Sequence, residues 1–155
     1  MDMNNKLGVE LIGLLATAVL IILVLMPIIT EVGEAFPYYI ENALCILLGV
    51  SFLRYIFLMK HHWLSSAKWL KIIFIFVPIP IFFFLTGFLY DFQAFSDEIG
   101  INTLMPDLSY EAQANLSRYI RTEIVLFWSA AFVSNLFMPV RMIVSLWREI
   151  NKGTH

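Results

Sequence analysis

Two arginines stand inside apolar runs of this chain, and a guanidinium in such a place needs oxygen partners. Arg54 lies six residues before Lys60, and Arg141 lies seven before Arg148. At 1.5 Å of helical rise per residue, both attach about 9–11 Å inside the basic edge of their segments. A charge at the centre of a bilayer costs about 2.5–3.5 kcal/mol on insertion scales, and less near the edge. Two arrangements meet that cost. Each side chain can snorkel to the lipid headgroups. Alternatively, both can turn inward and grip one anion, such as a lipid phosphate, or a partner's carboxylate. Glu10 is the one acid near that depth in the first apolar segment, so it is the expected charge partner of one arginine.

A second chemistry is backbone rather than side chain. In Val77-Pro78-Ile79-Pro80 each proline lacks an N–H, which leaves the carbonyls of Phe74 and Phe76 without their usual donors. Broken helices of this kind expose backbone to ions in transporters, but they also arise as kinks that fit a helix to its neighbours. With no ionisable residue beside the run, a kink is the expectation. Ser134 and Asn135 follow Ala130 and Ala131 in the last apolar segment. Small residues let helices approach closely, and a buried Asn can bond across helices for about 0.6–2 kcal/mol. Gly13, Ala16 and Thr17 give the first segment a similar surface, so these two faces are the candidates for the bundle's inner seam.

Other reactive types are arranged less productively. His61 and His62 are neighbours among lysines, where adjacent helical residues point apart, and His155 stands at the last position. Neither a metal nor a haem site is expected from them, and no cofactor is implied. Glu31, Glu34, Glu41 and Glu123 gather on one side; paired carboxylates can do acid–base work, but a solvated acidic face is the expectation. GxSxG, HExxH and phosphate-cradling glycine loops are missing. The single cysteine, Cys45, excludes an intrachain disulfide and reads as a small packing residue. Asn115-Leu116-Ser117 matches a glycosylation sequon, which matters only in a secretory pathway that uses it.

The elements that position these residues are helices. Of 155 residues, 60% are hydrophobic and only 14% charged, against about 25% charged in soluble domains. About 20 apolar residues span a hydrocarbon core about 30 Å thick, and four segments qualify: 7–29, 38–59, 71–90 and 122–147. The runs are continuous rather than alternating, which excludes a β-barrel. The first is too long for a signal peptide and follows a single base, so it is read as a retained helix. Eight of the ten bases fall on one side and nine of the twelve acids on the other. The basic side is then cytoplasmic, and an even number of crossings brings both termini there. Trp63 and Trp69 suit that interface as anchors.

The stretch 91–121 is the one long connection. Phe92, Phe95 and Ile99 keep helical spacing up to Gly100, a plausible C-cap. After Pro106, Asp107 or Ser109 can cap a new helix with Glu111 in its first turn, and Leu116, Tyr119, Ile120 and Phe127 carry it into the last segment. The expected fold is therefore all-α: one domain over 1–155, an antiparallel bundle of four transmembrane helices, the third and fourth extended on the outer side. Phe92, Phe95, Tyr110 and Tyr119 are expected to be exposed there. The expected role is a non-catalytic accessory or regulatory subunit, with membrane lipids and another integral membrane protein as partners. A small oligomeric channel or transporter is the alternative, with a homo-oligomer as its form, and a lipid-acting membrane enzyme is the second alternative. Nucleic acid is not an expected partner, and the bacterial inner membrane is the expected location.

Overall fold

A computed structural model describes residues 3–58 and 68–151. Lys60, His61, His62, Trp63, Lys152 and His155 lie outside the described residues, as do the expectations that rest on them. Every regular element among the described residues is helical. Helix α1 covers Met3–Glu31, α2 Tyr39–Leu58, α3 Lys68–Phe76, α4 Pro78–Glu98 and α5 Tyr110–Asn151. Short 3-10 turns at Gly33–Ala35 and Ile101–Leu104 join α1 to α2 and α4 to α5. Four stretches are long and apolar enough to cross a membrane: Asn5–Glu31, Tyr39–Leu58, Lys68–Glu98 and Tyr110–Asn151.

Burial is inverted relative to a water-soluble domain. Leu11, Ile12, Ile22, Leu23, Ile40, Phe57, Phe83 and Phe137 are exposed, while Thr17, Asn42, Lys71, Glu123, Ser134 and Asn135 are buried. In water such a surface would be an aggregation hazard. In lipid it is solvated, and the polar groups find one another inside. This pattern, with four helices long and apolar enough to cross a bilayer, is that of an integral membrane protein.

Helices α2 and α5 form the central pair and run in the same direction. Asn42 meets Glu123 near the start of α2, Gly49 meets Ala130 and Ala131, and Phe52 clusters with Met138 and Met142. A Cβ on Gly49 would lie 3.1 Å from the Ala131 backbone nitrogen, so glycine is what lets the two backbones touch. Helix α1 packs on α2, and α3 and α4 pack on α5. Of the two candidate seam faces, Ala131, Ser134 and Asn135 of α5 and Thr17 of α1 are buried; the close approach to Ala131 comes from Gly49 of α2, while Gly13 of α1 lies under Arg54.

The third apolar segment is split where its prolines fall. Val77 N–H still donates to Ile73 O at 3.0 Å, and Pro78 opens α4, where its missing N–H is tolerated. At the opposite end, Gly100 adopts φ 83°, a left-handed conformation that ends α4 and suits glycine. Helix α5 then opens after Ser109, whose Oγ accepts the Ala112 N–H at 3.4 Å, with Glu111 in the first turn. One expectation fails here. Phe92 is 3% exposed and Phe95 is half-buried, because Tyr38 packs edge-on against both rings. Tyr110 and Tyr119 are exposed.

Candidate functional site

The polar side chains collect at three levels along the α2/α5 pair. At the basic end, Tyr55 Oη donates to Glu10 Oε1 at 2.5 Å, joining α2 to α1. Arg54 Nη2 stands 4.0 Å from Glu10 Oε2, with both side chains 16% exposed. Its guanidinium lies over Gly13, where any Cβ would overlap it. Glycine on α1 is thus the seat of the Arg54 head. Among the described residues, neither Nη1 nor Nη2 of Arg54 has a hydrogen-bond partner, and the same holds for Nε of Arg141.

Arg141 precedes Met142, which packs in one cluster with Phe52 and the partly buried Tyr55. Glu10 stands against Arg54, and no ion pair of Arg141 is seen among the described residues. A second ion pair closes the same end. Lys71 is 2% exposed and donates from Nζ to Glu149 Oε2 at 2.7 Å, with Lys68 Nζ at 3.9 Å from Glu149 Oε1. It clamps α3 to the end of α5.

Half-way along, Asn135 Nδ2 donates to Pro78 O at 2.9 Å, so the polar residue of α5 and the helix break are one feature. Ser134 bonds its own helix, donating to Ala131 O at 3.1 Å. Pro80 lies exposed in the first turn of α4. A groove of about 310 Å³ opens beside the break, lined by Ile75, Pro78, Ile79, Phe82, Phe83, Asn135, Leu136 and Pro139. The Oδ1 of Asn135 is buried without a hydrogen-bond partner among the described residues.

At the acidic end, Asn42 Nδ2 donates to Glu123 Oε1 at 2.5 Å across the α2/α5 contact. Both residues are buried, and Glu123 makes no ion pair among the described residues. Glu31 and Glu34 are exposed and Glu41 is half-buried, so the expected solvated acidic face holds for the first two and fails for Glu123. The sequon is poorly placed as well: Asn115 is exposed, but Ser117 is buried and bonded to Asn102 Oδ1.

No protein-family model, curated protein or solved structure matches this chain. The reading of these sites therefore rests on their own chemistry.

Residue type and spacing do not mark Asn42, Lys71, Glu149 or Tyr55, and they mark Glu123 only as one of four acids on a solvated face. One signal was present. Asn42, Cys45, Ile46, Gly49 and Phe52 recur at helical spacing on α2, and this polar and small stripe is the face buried against α5. No comparable pattern marks Lys71, whose acid is 78 positions away.

Proposed function

We propose that this protein is an accessory subunit of a larger membrane assembly, an antiparallel bundle of four transmembrane helices that receives a partner's transmembrane helix beside the break between α3 and α4. One observation carries the reading: an apolar groove at mid-span is lined by an Asn135 whose carbonyl oxygen is buried and unpaired. A lipid tail offers no hydrogen-bond donor, whereas Ser, Thr, Asn or Gln on a neighbouring helix does. Phe83 and Leu136 flank the groove and are exposed to whatever occupies it. The same reading puts both termini in the cytoplasm of a bacterial cell, so a periplasm-dependent reporter fused after His155 should be inactive.

The test is photo-crosslinking from Phe83 and Leu136 positions in the protein's own host, followed by native mass spectrometry of the mild-detergent extract. One membrane protein captured from both positions at fixed stoichiometry, and not from exposed Ile12 on α1, is the expected result. Crosslinks to lipid alone would overturn the reading.

A second reading, a small oligomeric channel or transporter, is favoured by a different observation. Unpaired buried polar atoms recur along α2 and its contact with α5: Asn42 Oδ1, Glu123 Oε2, Ser51 Oγ and the Arg54 Nη pair. Water could satisfy them all in turn. In a Cys45→Ala background, Ser51→Cys should then react with a membrane-impermeant thiol reagent; a subunit packed dry around α2 predicts no reaction.

A further inference from the structure

The unpaired atoms at the acidic end have a specific arithmetic. A carboxyl and a primary amide are both planar, and together they offer two donor–acceptor positions. Asn42 and Glu123 share one bond, from Nδ2 to Oε1. The atoms left over, Asn42 Oδ1 and Glu123 Oε2, are both acceptors, both buried, and both without partners among the described residues. Two orphaned acceptors on one bonded pair lack a single thing, which is a hydrogen.

We propose that Glu123 is a proton-binding site within the α2/α5 seam: the carboxylic acid carries its proton on Oε2 and donates it to Asn42 Oδ1, closing a two-bond acid–amide ring between the helices. The proton is then the ligand, and it joins α2 to α5 directly. The surroundings suit a neutral pair. Ile120, Ile124 and Cys45 are fully buried around it, with Leu25 and Ile28 of α1 and Leu85 and Phe88 of α4 in the same core. Among the described residues, Cys45 on α2, with Glu41 beside it, and Tyr119 on α5, whose hydroxyl donates to Val24 O at 2.8 Å, are the titratable groups that interact there. None of these is a cation. Arg121, two residues away, is exposed and lines a groove with Gln93, Ser96 and Asp97 instead. A buried carboxylate left without a counter-charge is strongly disfavoured, and one proton removes both the charge and the two orphans. This inference does not depend on the accessory-subunit reading.

The test is infrared spectroscopy of the purified full-length protein in lipid at neutral pH, read at the carbonyl stretch of protonated carboxyl groups. A band should be present, vanish in Glu123→Gln, persist in the Glu10→Gln control and shift in Asn42→Ala. Gln reproduces the neutral acid's shape and supplies an N–H toward Asn42 Oδ1, so Glu123→Gln should also fold with an unchanged melting temperature. A missing band, a band unaffected by Glu123→Gln, or unfolding of that variant would each overturn the proposal. So would loss of the band on adding sodium chloride in place of choline chloride, because a metal cation would then be the occupant.

Discussion

The two ends of the molecule hold carboxyl groups under opposite rules. At the basic end Glu10 has Arg54 and Tyr55, and Glu149 has Lys71 with Lys68 nearby. At the acidic end Glu123 has one amide and no cation among the described residues. Charge is thus balanced within the protein at one end, and under the proposal above it is avoided at the other. The contrast teaches that a buried acid can hold a membrane helix pair in two ways: as an ion among ions, or as one half of a hydrogen-bonded neutral pair. The first depends on a matching base, and the second on a proton from solution.

The largest test of this contrast is Lys71→Ala. Removing one member of a buried pair costs about 3–5 kcal/mol. The partly exposed Glu149 and nearby Lys68 place the expected loss near the lower end, about 3 kcal/mol, read as a fall in thermal stability in detergent or lipid. The double change Lys71→Met with Glu149→Met should recover most of it. A silent Lys71→Ala would mean that the basic end is held by packing alone.

A smaller effect is expected between the ends. Gly49→Leu must push the Ala131 backbone away, at about 1–3 kcal/mol for overpacking. Gly8→Leu, where nothing lies within 4 Å, is the control. If both variants melt alike, the α2/α5 contact is looser than described and cannot couple the two ends. The smallest effect is Asn135→Leu, which deletes the bond to Pro78 O at about 0.6–1.7 kcal/mol. Its expected signature is a modest loss of stability with loss of groove crosslinks.

How much was legible in the sequence follows from which signals are local. The four crossings were readable because a run of about 20 apolar residues has few alternatives to a membrane helix. The break at Pro78 and the turn from Gly100 to Ser109 were readable because proline lacks a donor and glycine tolerates positive φ. Glu123 was not, because a glutamate near an acidic connection looks solvated until its partner, 81 positions away, is known. Lys71 failed for the same reason. The parallel α2/α5 contact was hidden too, since short connections suggest that sequential helices pack most closely. Phe92 was placed outside because spacing reports periodicity and not which face Tyr38 covers.

The proline positions have a mechanical consequence. Pro78 and Pro139 line the same groove on adjoining helices, and each interrupts the hydrogen-bond ladder that gives a helix its stiffness. Bending resistance is therefore lowest along one line across that half of the molecule. Below it, the Lys71–Glu149 clamp couples α3 to the last turns of α5, so the two segments flex together like a pair of splinted fingers. Anything wedged into the groove would act as a shim in that joint and set its angle.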